Sequence, residues 1–462
     1  MKKPDLIEIR AFFGLLLTMG LVSKPKIEDY WSKDPLTKTP GFSEVMSHDH
    51  FTQILRCLVF YDIENRDIDD PLYKVRKLIN HIVSTSLKLY DPDKYLTIDE
   101  SMIKYNGRSC MKVYMPKKPI KYGFKVYMMT DSCNSYVLSW MMHTEKNEMV
   151  PLVEQITEGF ENRGFIICMD RYYTTIDVIK NLSERGFGVY GAIMEMRAKG
   201  TPFFKKSLKK LAYGESLFYL YENQRILLSC WRDSKVVLVI SNTGDDNLVN
   251  VSRNGNIDQD GIKTYRKMQV NCPENILTYF LNARGVDKFD QKISYYAVDH
   301  KSVKWYTRII LHLISVAMHN SFILYSKSKQ RAYQKISYLQ YQQMVIDSLA
   351  SGLRTRKSLA KNSQTNIRMS TSIKSTSTDS RISFETPIQR RGSTSSTLTK
   401  STSSITTNSI KRCRIGYHTK SVCAVCDPKK GKKYTNYWCS THEIPLCTLN
   451  CYDDHRYTYE FI

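Results

Sequence analysis

The spacing of apolar residues changes along the chain and divides it into stretches with different predicted structure. From residue 7 to about 90, apolar side chains recur every three or four residues, which predicts helices. From 95 to about 200, alternating and continuous apolar runs predict strands mixed with helices. The stretch from 201 to 272 is mostly strand-like, and a helical pattern returns from 287 to about 349. The chain is therefore predicted to be an α/β protein with helical regions before and after its sheet.

Three segments of the mixed region predict individual elements. Residues 123–142 predict two strands joined by a turn at 131–134, which is a hairpin pattern. Residues 150–164 predict a helix that ends at Gly164. The run 165–170 is short and continuously apolar, as expected of a strand buried on both faces.

Residues 351–412 differ in composition from the rest of the chain. Of these 62 residues, 28 are Ser or Thr and 12 are Lys or Arg, and only Asp379 and Glu385 are acidic. Such a segment buries too little apolar area to offset an ordering entropy of about 1–2 kcal/mol per residue. The sequence predicts a disordered, cationic linker. Its basic clusters leave two roles open, a spacer alone or a spacer that also adds DNA affinity and directs nuclear import.

The charge balance points to a polyanionic partner. The chain has 68 Lys and Arg against 45 Asp and Glu, a formal net charge of +23, and a pI near 9.4. Nucleic acid is the first expectation and an anionic membrane surface the second. The longest apolar run, 309–324, is interrupted by polar residues, and no signal peptide is evident, so no membrane partner is predicted.

The cysteines separate into two groups. Six of the twelve are scattered singly, and the other six fall between Cys413 and Cys451. This clustering is typical of an intracellular metal site and not of a secreted disulfide framework. The candidate ligands alternate Cys and His at short spacings: His418, Cys423, Cys426, Cys439, His442, Cys447, Cys451 and His455. Eight ligands suit two tetrahedral Zn²⁺ ions, interleaved as a cross-brace, with Cys413 as an alternative to His418.

Four acidic residues stand where a polar side chain ends an apolar pattern. Asp99 and Asp170 each close a strand-like run, and Asp287 follows a glycine at the start of a helical run, with Asp290 one turn later. Carboxylates brought together in this way can hold two Mg²⁺ about 3.5–4 Å apart for phosphodiester chemistry. Their separations in sequence match no local motif, so each Asp taken singly is also explained as a cap or turn residue.

A basic cluster follows Asp99 directly. It comprises Lys104, Arg108, Lys112, Lys117, Lys118, Lys121 and Lys125. These side chains are candidate contacts to DNA phosphates, and a solvated basic face is the alternative for any single one of them.

Three blocks of the sequence resemble the catalytic blocks of the piggyBac transposase family. They are residues 96–137, 167–202 and 283–325, and residues 228–242 are similar to the strand pair that leads to the third block. The blocks occur in family order. The resemblance implies a ribonuclease H-like, retroviral integrase-type catalytic domain with a β-rich insertion, a flanking helical dimerisation and DNA-binding domain, and a C-terminal cross-brace zinc domain.

The resemblance also implies domain boundaries. The helical domain would comprise 1–94 and 293–350, the catalytic domain 95–200 and 274–292, the insertion 201–273, the linker 351–412 and the zinc domain 413–462. Relatives usually carry an acidic segment ahead of the first helix, so this sequence is expected either to be truncated or to lack that segment.

Carried over by position, the family's catalytic aspartates correspond to Asp99, Asp170 and Asp287, which would bind two Mg²⁺. Asp290 would support the site. Trp305 matches an aromatic position close to DNA in the family, and core packing is the alternative for that side chain.

The reaction implied by the resemblance is DNA transposition. Metal-activated water would nick the element ends, the 3′-hydroxyls would form hairpins, and the reopened ends would join TTAA targets in double-stranded DNA. A homodimer acting in the nucleus is expected. Two alternatives remain open: a domesticated DNA-binding or chromatin protein without cleavage activity, and a zinc-module interaction factor.

Overall fold

The 462-residue chain is described by a computed structural model with two compact units, Met1–Thr376 and Ser377–Ile462. Within the first unit the structure describes residues 3–353, and in the second it describes the backbone of three strands. The gaps in the first unit are 62–63, 65–66, 68, 146–147, 199–207, 209–210, 222–224, 260–261, 300–301 and 329–335, and only the backbone of 254–266 is described.

The N-terminal region is helical, as its apolar spacing predicts. Its helices are α1 (Leu6–Leu21), α2 (Pro40–Val45), α3 (His48–Cys57) and α4 (Arg76–Leu89). Helix α1 begins with a capping box, in which the Asp5 side chain accepts a hydrogen bond from the Glu8 backbone N–H and the Glu8 carboxylate accepts one from the Asp5 N–H. Phe12 and Leu16 of α1 are buried in one cluster with α2 and α3.

One nine-stranded sheet forms the centre of the first unit. Its strands are β1 (Tyr95–Lys104), β2 (Val113–Tyr114), β3 (Tyr122–Asp131), β4 (Val137–Met142), β5 (Ile166–Met169), β6 (Gly188–Ala192), β7 (Ser216–Tyr221), β8 (Ile226–Arg232) and β9 (Val236–Ser241). The main order is β4-β3-β1-β5-β6-β9-β8-β7, with the short β2 also paired to β3. Strands β1, β3 and β4 are antiparallel, whereas β5 runs parallel to β1 and β6 parallel to β5. The predicted hairpin is confirmed as β3 and β4.

The two faces of the sheet carry separate apolar cores. Side chains alternate between the faces of a strand, so on β1 Ile98 lies in the core covered by α5 (Met149–Ile156) and α6 (Ile176–Glu184). Ile103 points to the other face, where it packs with residues of α4. Asp99 shares the odd-numbered face with Ile103 and therefore lies on the side opposite α5 and α6.

Two regions differ from the sequence prediction. The helix expected to end at Gly164 ends at Ile156, because Gly159 adopts the left-handed conformation (φ +83°) that terminates helices. The strand-rich stretch after residue 201 does not form one sheet of its own. Strand β9 pairs with β6, which adds β7–β9 to the central sheet. The long strands β10 (Leu248–Gln259) and β11 (Ile262–Pro273) make a separate two-stranded ribbon.

The chain then returns to helices. They are α7 (Glu274–Asn282), α8 (Gly285–Ser294), α9 (Trp305–Lys327) and α10 (338–353). Helix α9 is long and apolar enough to cross a membrane, but 61% of its most apolar window is buried inside the protein. Ile309, Ile310 and Leu313 of α9 belong to the core on the odd-numbered face of β1. This packing is that of a core helix.

Asn320 joins α9 to the edge strand β4 with two hydrogen bonds and to α4 with a third. Its Oδ1 accepts from the Val137 N–H (2.9 Å), and its Nδ2 donates to the Val137 carbonyl (2.9 Å) and to Ser86 Oγ (3.0 Å). Asn320 is only 3% exposed. We expect Asn320→Leu to lower the free energy of unfolding by about 2–4 kcal/mol, because buried backbone groups lose their partners. Urea unfolding followed by circular dichroism tests this.

Ser321→Ala is the matched control for Asn320→Leu. Ser321 is the next residue of α9 and donates only to the Met318 carbonyl of its own helix. We expect its loss to change stability by less than about 1 kcal/mol. Equal unfolding of the two variants would contradict the role given to Asn320.

The described residues of the second unit form three antiparallel strands, β12 (Ile415–Val422), β13 (Tyr434–Cys439) and β14 (Ile444–Leu446), in the order β12-β13-β14. Among the predicted zinc ligands, His418 lies in β12 and Cys439 ends β13. The remaining ligands lie outside the described residues: Cys423, Cys426, His442, Cys447, Cys451 and His455. Residues 354–412 of the predicted linker also lie outside them.

Candidate active site

Asp99 and Asp170 lie side by side where the parallel pairing of β1 and β5 ends. Strand β1 itself continues to Lys104, so Asp99 does not close its strand as the sequence predicts. Strands β1 and β5 are in parallel register, with Ile98 opposite Met169. Asp99 follows Ile98, and Asp170 follows Met169 at the point where β5 ends. Parallel pairing therefore brings together two carboxylates that are 71 residues apart in sequence.

Helix α8 brings the other two acids to the same face of β1. Asp287 lies in its first turn. One turn later, Asp290 accepts a hydrogen bond of 2.6 Å from Ser101 Oγ of β1. Ser101 is two residues beyond Asp99, and alternation therefore places both on the face that α8 covers.

Gly285 allows the start of α8 to approach the sheet closely. A Cβ added at this position would lie 2.8 Å from Thr97 Oγ1 of β1 and would meet Thr130 Oγ1 of β3 even more closely. The absence of a side chain is thus required for this approach. The Thr97 hydroxyl also donates to the Asn282 carbonyl at the end of α7 (2.6 Å). These contacts fix the position of Asp287.

Two lysines of α8 hold the helix to the turn between β3 and β4. Lys288 Nζ donates to the Ser132 carbonyl (3.2 Å). One turn later, Lys292 Nζ donates to the Asn134 carbonyl and to Ser135 Oγ, both at 3.2 Å. The helix that carries Asp287 is therefore attached to the sheet along its length.

One cation lies among the acids. Lys118 Nζ is 3.9 Å from Asp99 Oδ1 and 3.5 Å from Glu100 Oε1, and it donates to the Glu100 carbonyl at 3.0 Å. Burial alone would lower the pKa of Lys118, but the surrounding carboxylates raise it. Lys118 is thus a charged partner of the acids in this structure.

Burial raises the pKa of Asp99 to about 8. The ammonium of Lys118 opposes the rise, and the negative charges of Glu100 and Asp287 add to it. The Asp99 side chain is only 14% exposed. The charged form of this carboxylate is therefore costly, and a bound cation would stabilise it.

Burial also raises the pKa of Asp290, to about 7. The hydrogen bond from Ser101 and the charge of Lys118 act against this rise. Perturbed carboxylates of this kind cluster at functional sites.

The donor set fits divalent cations that prefer oxygen, since every candidate ligand at this place is a carboxylate. With one oxygen taken from each, the carboxylates of Asp99, Asp170 and Asp287 do not all lie within 4.8 Å of one another. Like charges repel, and the ammonium of Lys118 is positioned beside Asp99. The residues present could hold Mg²⁺ once the three side chains move closer together.

Among the described residues, the group that does meet this distance is Asp93, Asp131 and Cys133. The Asp131 carboxylate is already satisfied by the Tyr90 hydroxyl (2.6 Å) and by the backbone N–H groups of Asp93 (2.9 Å) and Cys133 (2.8 Å). Lys327 pairs with Asp93 at 3.6 Å. The contacts of Asp93 and Asp131 therefore stabilise the turn that follows β3.

The seven basic candidates fall into different environments. Arg108, Lys117 and Lys121 are exposed. Lys104 pairs with Asp299 (2.9 Å), and Lys112 donates to the Gly107 carbonyl (2.9 Å).

Two of the basic candidates, Lys118 and Lys125, are less exposed than expected of a side chain that contacts a DNA phosphate at the surface. Lys118 contacts the acids as described. Lys125 is 6% exposed, with its ammonium over the rings of Tyr127 (4.7 Å) and Tyr172 (4.1 Å). Trp305 begins α9, is partly buried and packs against the core on the odd-numbered face of β1.

Sequence reasoning missed the residues that position the acids. Ser101, Thr97 and Gly285 carry no metal-ligand signature. The signal for Ser101 was present, since it lies two residues after Asp99 on the same strand face. Tyr279 of α7 was also missed. Burial raises its pKa, and the charges of Asp170 and Asp99 raise it further, which places the phenol near both acids.

Comparisons with known proteins agree on one family. A family model described as Transposase IS4 matches residues 2–322. Human PiggyBac transposable element-derived protein 2 is 26% identical over 371 residues, which cover 76% of this chain and 61% of the relative. Human PiggyBac transposable element-derived protein 3 is 25% identical over 354 residues, covering 73% and 58%. The chain thus spans about six tenths of these curated relatives.

A solved structure shows the same fold. It is the cryo-EM structure of a piggyBac transposase synaptic complex with hairpin DNA, with a TM-score of 0.65 and 24% identity over 77% of this chain and 73% of that chain. The likeness supports an α/β fold with a mixed sheet. Because the family match covers most of the sequence, the chain belongs to the piggyBac family of transposases.

Proposed function

We propose that the chain is a DNA transposase of piggyBac type that cuts element ends by metal-dependent phosphoryl transfer. The observation that carries this proposal is the arrangement of Asp99 within β1, Asp170 at the end of β5 and Asp287 at the start of α8 around one region of the sheet. The family match over residues 2–322 supports it.

The strand order supports a ribonuclease H-like core. The antiparallel strands β4, β3 and β1 are followed by β5 and β6, which run parallel to β1. We propose the division implied by the sequence, with a helical dimerisation and DNA-binding domain (1–94 and 293–350), a catalytic domain (95–200 and 274–292), an insertion (201–273), a linker (351–412) and a zinc domain (413–462).

In the proposed reaction, Asp99, Asp170 and Asp287 would hold two Mg²⁺, and bound Mg²⁺ would activate the attacking oxygen and stabilise the leaving oxygen. Asp290, held by Ser101, keeps α8 in place beside β1. Water attacks a phosphodiester at the element end and releases a 3′-hydroxyl. That hydroxyl attacks a phosphodiester of the opposite strand, which forms the hairpin and displaces the 3′-hydroxyl of the flanking DNA. A second water reopens the hairpin, and the freed 3′-hydroxyl attacks a phosphodiester of a TTAA target, displacing a target 3′-hydroxyl.

The exposed side chains of Arg108, Lys117 and Lys121 are the strongest candidates for phosphate contacts on the DNA. We propose double-stranded DNA as the partner, a homodimer as the active form and the nucleus as its location. Trp305 is proposed to lie near the DNA through the part of its ring that the core leaves uncovered.

Incubation with a labelled duplex that carries the flanking element's end next to TTAA tests the proposal. With Mg²⁺ we expect a nicked strand, then a hairpin, then joining to a TTAA-containing plasmid. The control duplex has a scrambled TTAA, and EDTA should stop every step. Binding to the duplex without any nick would contradict the proposal.

The second candidate function is DNA binding without cleavage. It is favoured by the names of the human relatives, which describe proteins derived from transposable elements. Binding of the element end that is unaffected by substitution of Asp99, Asp170 or Asp287, with no cleavage, would favour this candidate.

We also propose two structural Zn²⁺ ions in the second unit. The chain leaves β12 at Val422, immediately before Cys423, and Val422 pairs with Tyr434. Cys439 ends β13, five residues after Tyr434. The short Cys-x2-Cys and Cys-x2-His spacings of the sequence suit tetrahedral Zn²⁺.

We expect Cys423→Ser and Cys439→Ser each to lower the zinc content from about two ions per chain to about one, since each removes a ligand of a tetrahedral site. Atomic absorption of the purified chain measures this content. Cys57→Ser is the control, because Cys57 lies singly in α3, and it should keep both ions. Unchanged zinc in both test variants would contradict the assignment.

A further inference from the structure

Lys118 differs from its basic neighbours by its contacts. Its side chain is 25% exposed, and its ammonium lies on the Glu100 carbonyl, the Glu100 carboxylate and the Asp99 carboxylate. The next residue toward the N-terminus, Lys117, is exposed. One lysine of an adjacent pair therefore belongs to the acid site and the other to the surface.

The backbone explains why Lys118 reaches the acids. The segment between β2 and β3 is closed by a hydrogen bond from the Met115 N–H to the Lys121 carbonyl (2.8 Å), and the Lys118 N–H donates to the Met115 carbonyl (3.2 Å). Pro119 further restricts the backbone of Lys118. The loop therefore presents this side chain in a fixed direction.

The sheet leaves room for the ammonium at this place. Strand β5 ends at Met169, opposite Ile98, so β1 continues past its parallel neighbour from Asp99 onward. The Glu100 carbonyl in this continuation accepts its hydrogen bond from Lys118. The Lys118 side chain, which comes from the loop between β2 and β3, therefore lies along the part of β1 that β5 does not cover.

The ammonium also has the charge that the site requires. The negative charges of Asp99, Glu100, Asp287 and Asp290 all act on Lys118. An amine cation and a divalent cation favour the same carboxylate oxygens, and two cations repel each other at such short range. A site filled by one is therefore less favourable for the other.

We propose that Lys118 is a built-in counter-ion, which holds the acid cluster together without metal and competes with the divalent cation for the same carboxylates. This inference rests on the proposed function. Lys118 is thus a positioning residue for the acids and a controller of metal affinity.

The test is the affinity of the full-length chain for Mn²⁺, measured from free Mn²⁺ by electron paramagnetic resonance. We expect Lys118→Met to bind roughly tenfold more tightly than wild type, since a competing charge at partly screened distance is removed. Lys117→Met should keep the wild-type affinity. Asp99→Asn shows which part of the Mn²⁺ binding belongs to the acid site, because that part should be lost in this variant.

The outcomes separate this inference from the proposed function. Absence of an Asp99-dependent Mn²⁺ site in wild type would overturn both. An Asp99-dependent site whose affinity is equal or weaker in Lys118→Met would overturn the counter-ion role alone. If Lys118→Met does not fold, Lys118→Gln replaces it, with the same expected increase in affinity. Lys118→Arg keeps the charge and should stay close to wild type.

Discussion

Replacing Asp99 with Asn should reduce Mg²⁺-dependent DNA cleavage by roughly 10³-fold or more while the metal-free protein melts at a higher temperature. The loss of cleavage follows from removing a carboxylate from the centre of the donor set. The gain in stability follows from burial, which raises the pKa of Asp99 to about 8 and makes its charge unfavourable in the folded state. The ionised Asp99 carboxylate therefore lowers the stability of the fold, although the proposed metal binding requires it.

The gain in stability should depend on pH. A carboxyl whose pKa is higher in the folded than in the unfolded chain destabilises the fold when it is ionised. This penalty is absent below the usual Asp value of 3.8 and grows as the pH rises toward about 8. The difference in melting temperature between Asp99→Asn and wild type in EDTA should therefore widen from pH 4 to pH 8.

Asp91→Asn is the matched control for Asp99→Asn. Asp91 is exposed and pairs with Arg163 at 2.9 Å, away from the acid site. We expect it to leave cleavage unchanged and to alter stability little, as usual for surface ion pairs. If Asp99→Asn cleaves at the wild-type rate, Asp99 is not part of the reaction centre.

The second large effect is expected for Gly285→Ala. The added Cβ collides with the Thr97 and Thr130 hydroxyls, and neither can retreat because both lie on buried strand positions. The start of α8 must shift, with a cost of about 1–3 kcal/mol in the free energy of unfolding. Asp287 moves with it. A displacement near 1 Å at a reaction centre reduces the rate about 10²-fold.

Gly352→Ala is the control for Gly285→Ala, because it also replaces a helical glycine with alanine. Gly352 is exposed in α10, and its nearest neighbour is the side chain of Ile7, which is itself exposed. We expect equal or slightly greater stability and unchanged cleavage, because Ala favours helix formation. Unfolding and single-turnover cleavage assays on both variants measure the two effects. Wild-type cleavage by Gly285→Ala would show that the packing at Thr97 does not position Asp287.

Local patterns predicted much of the fold. The β3–β4 hairpin and strand β5 followed from alternation and from a continuous apolar run, because both signals are confined to a few neighbouring residues. The end of α5 was missed, since a left-handed glycine at Gly159 outweighed the helical spacing. The pairing of β9 with β6 is a long-range choice that no local pattern contains.

The acids could be predicted and their surroundings could not. Asp99, Asp170 and Asp287 stand at ends of apolar patterns, and the family resemblance supplied their grouping. Lys118 appeared in sequence as one of seven basic candidates, and nothing local separates it from Lys117. Its place beside Asp99 depends on the fold of the 115–121 loop and on where β5 ends.

Cleavage of the polypeptide by bound Fe²⁺ tests most directly whether one metal centre joins the three distant aspartates. Fe²⁺ replaces Mg²⁺, and ascorbate with peroxide generates radicals that cut the chain close to the metal. We expect cuts around Asp99, Asp170 and Asp287, suppressed by excess Mg²⁺ and absent in Asp99→Asn. Cuts confined to the neighbourhood of Asp93 and Asp131, or unchanged in Asp99→Asn, would contradict this expectation.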